Sequence, residues 1–310
     1  MKELKGKPAD SFGFKDIIYE KSNYRATVTI NRPAVLNALN FNVLRELSTA
    51  FEDAAFDDGI AVVVITGAGK KAFCTGADIK EWNDELLDNP NDLYKWMAAF
   101  TEMHDRLRNI GKVTVARLNG MVVGGGNELN LSCDLAVAAS DIELRHVGTS
   151  RGSVPAAGAT QWLPIVIGER RAREMLLLGK TLTAKEAKEW GLVNFVVPRK
   201  NLDKEVDRVC KELYNKLPDC TRYTREHLSF WKNLSWSLTV GHLRDWLTVH
   251  TPAAEIQEGI RSFNERRPID YKMLRDLHKS GMKKCGKCGR SAAPEFGYCG
   301  HCGTKLGSTH

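Results

Sequence analysis

The 310-residue chain has no window approaching the roughly 18 to 20 consecutive apolar residues that a membrane-spanning helix requires. Residues 1–16, MKELKGKPADSFGFKD, are polar and lack the apolar stretch of a secretory signal, so the expected compartment is the cytoplasm, without a membrane partner. No internal repeat or low-complexity run is present, which sets repeat architectures aside. Only 8% of the residues are aromatic, and no long basic stripe interleaves with them, so a nucleic-acid partner is not expected. The formal charge of +7 is concentrated at one end: from Lys279 onward there are six Lys/Arg and one Glu, which leaves the main body close to neutral. Cys74, Cys133, Cys210 and Cys220 are too widely spaced for a disulfide framework and read as reduced thiols in a core.

What is present describes an ordinary globular chain, 43% apolar and 27% charged, long enough for one large core and a small appendage. The appendage announces itself as CGKC at Cys285–Cys288 and CGHC at Cys299–Cys302. Two such knuckles can bring Cys285, Cys288, Cys299 and Cys302 to one tetrahedral ion, the pattern of a structural Zn2+ site, with His301 not needed as a ligand. A four-thiolate site leaves no open position for a substrate, so chemistry must be sought elsewhere.

Strands are expected at 24–30, 61–66, 113–118 and 135–139, with an extended segment at 193–198. Helices are expected at 36–58, where Leu39, Val43, Leu44, Leu47 and Phe51 recur at helical spacing, and at 92–109, 169–179 and 182–191. Residues 83–91 read as a polar loop, and 203–276 as helical with breaks near Pro218 and Pro252. Trp231, Trp236 and Trp246 in that region read as packing or subunit contacts. Alternating strands and helices give an α/β class.

Two turns carry candidate chemistry. In Gly124-Gly125-Gly126-Asn127-Glu128, three glycines allow close approach of a ligand, and a helix beginning there offers free N–H groups to developing negative charge. In Thr75-Gly76-Ala77-Asp78, the N–H of Ala77 could supply a second donor to the same oxygen. Glu128 stands one helical step inside, within reach of the bound skeleton. Ser153 has no recognisable histidine–carboxylate pair, so a serine triad is not expected.

With NRP-x-x-x-NAL at 31–39, KAFCTGADIKEW at 71–82, NGMVVGGGNELNLSCDLAVAA at 119–139 and GLVNFVVP at 191–198, the chain resembles the enoyl-CoA hydratase/isomerase (crotonase) superfamily over about residues 17–265. The resemblance implies a crotonase-like spiral of ββα units in residues 1–200 and a helical trimerisation region in 201–278, followed by the zinc ribbon in 279–310. It also implies a homotrimer or dimer of trimers acting on an acyl-CoA thioester. Ala77 and Gly125 would form the oxyanion hole, and Ala77, Asp78, Ile79, Lys80 and Gly125 would line the acyl-CoA site. Lys70 and Lys71 stand near the same loop, and Asp78 would fix it. Glu128 matches the first catalytic carboxylate of the hydratases, whereas the second falls on Gly148.

That departure, together with GSVPAAGATQWLPIVIG at 152–168, is similar to the ring-opening 6-oxocyclohex-1-ene-1-carbonyl-CoA hydrolase subgroup. The expected reaction is therefore water addition to, and hydrolytic opening of, a cyclic oxoacyl-CoA through a thioester enolate. The alternatives are an enoyl-CoA hydratase/isomerase and a non-catalytic acyl-CoA-binding assembly protein that docks a partner through its ribbon. His146, where the family lines its acyl pocket, could polarise a ring carbonyl or pass a proton, against a structural role in hydrogen bonding. Arg151 could meet a carboxylate or CoA phosphates, against a solvated or capping role.

Overall fold

The computed structural model describes residues 5–279, 281–293 and 296–307. The chain opens with an antiparallel hairpin of β1 (Ile17–Ser22) and β2 (Arg25–Ile30). Only β2 is anticipated by the sequence. The inward residues of β1 that are fully buried are Ile17 and Tyr19, too few positions for a clear alternation. The expected start at Tyr24 is instead the hairpin turn, where Asn23 and Tyr24 have φ of 50° and 59°, matching the right-handed twist of the strands.

Helix α1 (Phe41–Phe56) begins later than its apolar spacing suggests. Leu36 and Asn37 sit at φ 56° and 57°, which no right-handed helix accommodates, and the Asn40 side chain then accepts from the N–H of Val43 at 2.8 Å. There follow β3 (Val62–Gly67), β4 (Ala72–Cys74), the short α2 (Ile79–Glu81) and α3 (Pro90–Arg108). Next come β5 (Val113–Leu118), β6 (Met121–Val123), α4 (Gly125–Ser132), β7 (Leu135–Ala139), β8 (Glu143–Arg145) and α5 (Ala159–Ile167). Three times, then, a strand in one sheet leads to a strand in a second sheet and on to a helix. This is the ββα spiral that the family resemblance implies.

The first sheet has the order β1-β2-β3-β5-β7-β10, and every pairing after the first hairpin is parallel. The second has the order β4-β6-β8-β9, with β4, β6 and β8 parallel. All six residues of β3 are buried, as a central parallel strand covered on both faces requires. The remaining elements are α6 (Glu169–Leu177), β9 (Leu182–Thr183), α7 (Ala184–Trp190), β10 (Phe195–Val197) and α8 (Leu202–Tyr214). They are followed by α9 (Pro218–Leu228), α10 (Phe230–His250), α11 (Ala254–Asn264), α12 (Tyr271–Lys279), β11 (Lys283–Lys284) and β12 (Ser291–Ala292).

Two expectations require correction. Residues 83–91 are not a polar loop: α2 continues into a wide π-turn at Trp82–Leu86, because Trp82, Leu86 and Leu87 are apolar enough to be buried. Nor are all four early thiols in the core. Cys74, Cys133 and Cys210 are buried, but Cys220, on α9, is exposed. Of the three tryptophans, Trp236 is buried and stacks on Trp162 at 5.0 Å, whereas Trp231 is exposed. No helix among the described residues is long and apolar enough to cross a membrane.

Two buried asparagines join the loops between the sheets. Asn37 donates to the carbonyls of Ala68 and Ala72 at 3.0 and 2.8 Å. Asn119 donates to those of Gly67 and Gly69 at 2.8 and 2.9 Å and accepts from Thr66 Oγ1 and Gly67 N–H. Asn119→Ala leaves several backbone groups without partners, one of them in the buried core of the joint, and is expected to cost about 2–3 kcal/mol in urea unfolding.

Candidate active site

Strands β4 and β6 are parallel neighbours, with Ala72 opposite Met121 and Cys74 opposite Val122, so the turns leaving their C-terminal ends lie side by side. They meet backbone to backbone. Gly76, at φ 85°, comes so close that a methyl there would stand 2.8 Å from the Gly125 nitrogen. A methyl on Gly126 would stand 2.1 Å from the Cys74 carbonyl oxygen. The two glycine-bearing turns singled out in the sequence are thus brought together.

Leu39 N–H donates to Gly76 O at 2.8 Å, and Asp78 N–H donates to Leu39 O at 2.9 Å. These bonds flank Ala77, whose own N–H has no protein acceptor among the described residues. Gly125 opens α4, so its N–H is likewise without an intrahelical partner. Phe100, on α3, closes one side: a methyl on Gly125 would lie 3.2 Å from its ring.

Glu128, in the first turn of α4, is buried at 3% exposure. Its Oε1 accepts from the N–H groups of Ala157 and Ala159 at 2.8 and 3.2 Å, whereas Oε2 accepts no hydrogen bond among the described residues. Burial pushes its pKa up to about 7, against the opposing pull of those two donors. A carboxyl poised there can both take and return a proton near neutral pH. The two donors were not legible as such in the sequence, although a glycine-rich loop entering a helix at Ala159 always leaves N–H groups to be satisfied.

His146 follows β8 and is buried, and burial lowers its pKa to about 4. Burial thus favours the neutral ring, which can donate from one nitrogen and accept at the other. Its Nε2 stands 3.0 Å from Asn127 Nδ2. The expected second carboxylate position, Gly148, lies in a tight turn, where a methyl would approach Ser153 O to 2.8 Å. Arg151 is exposed, with its guanidinium over the Phe263 ring at 5.9 Å, and Ser153 Oγ has only the Val154 carbonyl as partner among the described residues.

Asp78 pairs with Arg32 at 2.9 Å and accepts from Lys80 N–H at 3.1 Å, so it anchors the loop that presents Ala77. Ile79 packs half-buried against the core, and exposed Lys80 pairs with Asp84. A cavity of about 420 Å³ opens beside this loop, lined by Pro33, Ala34, Leu36 and Gly69–Ala72, and Lys70 and Lys71 are on its wall. A larger one of about 610 Å³ lies between β5, β7 and α9–α10, remote from Glu128, and holds the Asp134–Arg225 ion pair.

In the tail, the four sulfurs of Cys285, Cys288, Cys299 and Cys302 lie within 4.8 Å of one another. Cys285–Cys302 and Cys288–Cys299 are each 3.6 Å apart. Four thiolates about 2.3 Å from one tetrahedral ion would sit about 3.8 Å apart, so the cluster has the dimensions of a metal site. The N–H groups of Gly289 and Gly303 fold back onto the carbonyls of Cys285 and Cys299.

A family model described as enoyl-CoA hydratase/isomerase matches residues 20–274. The Bacillus subtilis (strain 168) protein YngF, named for the same family, is 32% identical over 258 residues, covering 81% of this chain and 96% of that protein. A 6-oxocyclohex-1-ene-1-carbonyl-CoA hydrolase of Geobacter metallireducens is 26% identical over 307 residues, covering 81% of this chain and 80% of its own. Among solved structures, an enoyl-CoA hydratase from Mycobacterium avium subsp. paratuberculosis K-10 superposes with a TM-score of 0.75 at 27% identity, covering 83% of this chain and 98% of that one. The fold, the paired glycine turns with Glu128 beside them, and these similarities agree: the chain belongs to the enoyl-CoA hydratase/isomerase (crotonase) superfamily of enzymes.

Proposed function

We propose that the protein carries out a hydratase/isomerase reaction on an acyl-CoA thioester through its enolate, with Glu128 as the proton carrier. The supporting observation is a buried carboxyl, one oxygen held by two N–H groups, beside two unpartnered backbone donors. In this reading the N–H groups of Ala77 and Gly125 bind the thioester oxygen and meet the charge that develops on it. Glu128 Oε2 takes a proton from the acyl chain and returns it to a second carbon, or takes one from water as hydroxide adds and delivers it to Cα. Both sequences leave Glu128 as it began, so neither needs a carboxylate at Gly148. The loop from Ala77 to Lys80 would line the acyl-CoA site.

Ring opening of a cyclic oxoacyl-CoA is the second reading, favoured by the similarity to the Geobacter hydrolase and by glycine at position 148. Incubation in ¹⁸O-water with crotonyl-CoA and with 6-oxocyclohex-1-ene-1-carbonyl-CoA separates the two by mass spectrometry. A hydroxyacyl thioester with an intact skeleton is expected, while a linear product with label in a new carboxylate would favour ring opening. Product from neither thioester would count against both readings.

Glu128→Gln gives a second test with two readouts. Proton transfer should fall by about 10²- to 10⁴-fold. Stability should move the other way. A free glutamate titrates near 4.5 and Glu128 at about 7, so between these values folding takes up a proton and stability falls as pH rises. Above about pH 7 that loss is complete, and the glutamine, which cannot ionise, should raise the urea midpoint at pH 8.

For the tail we infer a structural Zn2+ held by Cys285, Cys288, Cys299 and Cys302. Its packed interior consists of Cys285, Ala292, Cys299 and Leu306 with Cys302 against them, too little apolar burial to order such a segment unaided. The ion would supply folding energy and no chemistry. One equivalent of zinc by elemental analysis is expected, lost in Cys288→Ser/Cys302→Ser, which should also make the tail sensitive to proteolysis.

We further infer that residues 201–278 mediate a homotrimer or dimer of trimers. Leu217, Leu228, Trp231 and Leu238 are between 66% and 78% exposed on α9, α10 and the turn before them, an apolar surface that association would cover. Sedimentation equilibrium should give a mass three or six times 34.6 kDa, and a monomer would remove this reading.

A further inference from the structure

Asn127 and His146 form a buried pair that the enolate reaction does not use. Asn127 lies between Gly125 and Glu128 in the first turn of α4, and Arg145, just before His146, accepts the N–H of Gly124 at 3.0 Å. The imidazole therefore stands against the same turn that presents the Gly125 N–H and the Glu128 carboxyl.

With the Asn127 amide oriented as it is, the ring proton is assigned to Nδ1. Asn130 Nδ2 donates to Asn127 Oδ1 at 3.2 Å, which identifies the other end of the Asn127 amide as its NH2. That NH2 faces His146 Nε2 at 3.0 Å, and an amide nitrogen can only donate. Nε2 is thus the acceptor, and the proton of the neutral ring is on Nδ1. Among the described residues Nδ1–H has no acceptor, yet it is not among the side-chain nitrogens sealed from solvent without a partner. The ring is held at Nε2 by Asn127, the neighbour of Glu128 in sequence, and its Nδ1–H is unused among the described residues.

We propose that His146 donates from Nδ1 to an oxygen on the acyl portion of the substrate, so that the site selects oxo- or hydroxyacyl thioesters over plain enoyl chains. The proposal rests on the reading of the Glu128 region as an acyl-CoA site and names the class of acyl group it takes. A site built to hydrogen-bond a substrate oxygen discriminates against the analogue without it, because its own donor is then left buried and unpaired. His146 is on this account a specificity residue, and Asn127 positions it by fixing its tautomer.

Two thioesters that differ by the one oxygen provide the test: 6-oxocyclohex-1-ene-1-carbonyl-CoA and cyclohex-1-ene-1-carbonyl-CoA, titrated calorimetrically into the full-length protein. The oxygenated ring should bind roughly 10-fold or more tightly. His146→Leu should bring the ratio close to one, and His146→Asn, whose amide reaches toward the Nδ1 position, should restore part of it. Equal binding of the two by the wild-type protein overturns the proposal while leaving the acyl-CoA reading intact. Failure of both to bind removes the acyl-CoA reading and the proposal with it. The tautomer is checked without any variant: selectively ¹⁵N-labelled histidine should show a neutral ring protonated at Nδ1 at pH 7, and protonation at Nε2 overturns the assignment.

Discussion

The close approach of two backbone turns is the constraint on which the rest of the site depends. The turns after β4 and β6 can touch only because Gly76 and Gly126 carry no side chain, with gaps of 2.8 and 2.1 Å where a methyl would sit. That contact is set in turn by the parallel register of β4 against β6 and by the two asparagines that join the loops between the sheets. The sheets deliver the turns, the turns deliver two free N–H groups, and α4 delivers a carboxyl one turn further along. No side chain has to create the electrophilic end of the site. In the proposed reaction backbone dipoles would do so, already oriented when the substrate arrives.

The same packing sets the chemistry of Glu128. A carboxylate taken out of water at this depth would ordinarily give up its charge, and two backbone donors on one oxygen restrain that tendency without cancelling it. The opposition leaves the group close to its midpoint at neutral pH, where it exchanges a proton readily in either direction. A second buried carboxyl nearby would disturb this balance by repulsion. The tight turn at Gly148 excludes one from that position, because its Cβ would press on the Ser153 carbonyl. The single-carboxyl site is therefore a property of the turn as much as of the missing residue.

Much of this was legible in the residues. The triple glycine, Ala77 and Glu128 could be singled out because their chemistry follows from local rules: glycines before a helix expose N–H groups, and an acid in the first turn stands beside them. The α/β class followed from apolar strands alternating with helical spacing, while the ββα order was implied only by the family resemblance, since β4, β6 and β8 are too short to show a period of their own. What escaped depended on contacts distant in sequence. Nothing local to Ala157 and Ala159 marks them as donors to a residue 29 and 31 positions away. Nor does HVG at 146–148 disclose that the imidazole meets the Asn127 amide. The π-turn at Trp82–Leu86 was missed for a related reason: WNDELLDNP is polar by composition, and only the surrounding core makes Trp82, Leu86 and Leu87 inward-facing.

The two ends of the chain answer the problem of small cores differently. In the main body, sheets buried on both faces and helices α1 and α3 packed together supply enough apolar area to tolerate a neutral histidine, a carboxyl and two asparagines in the interior. Among the described residues the tail has only Ala292 and Leu306 beside its buried cysteines, and hydrogen bonds within its knuckles cannot make up the difference, since each is worth about 1 kcal/mol net. Four converging thiols around the inferred ion would offer what the apolar residues do not, a few strong bonds that exist only in the folded arrangement. In the proposed reading, polar groups inside the body therefore serve reactivity and selection, while those inside the tail serve folding. That difference is why the cysteine cluster, the most conspicuous pattern in the sequence, carries the least information about catalysis.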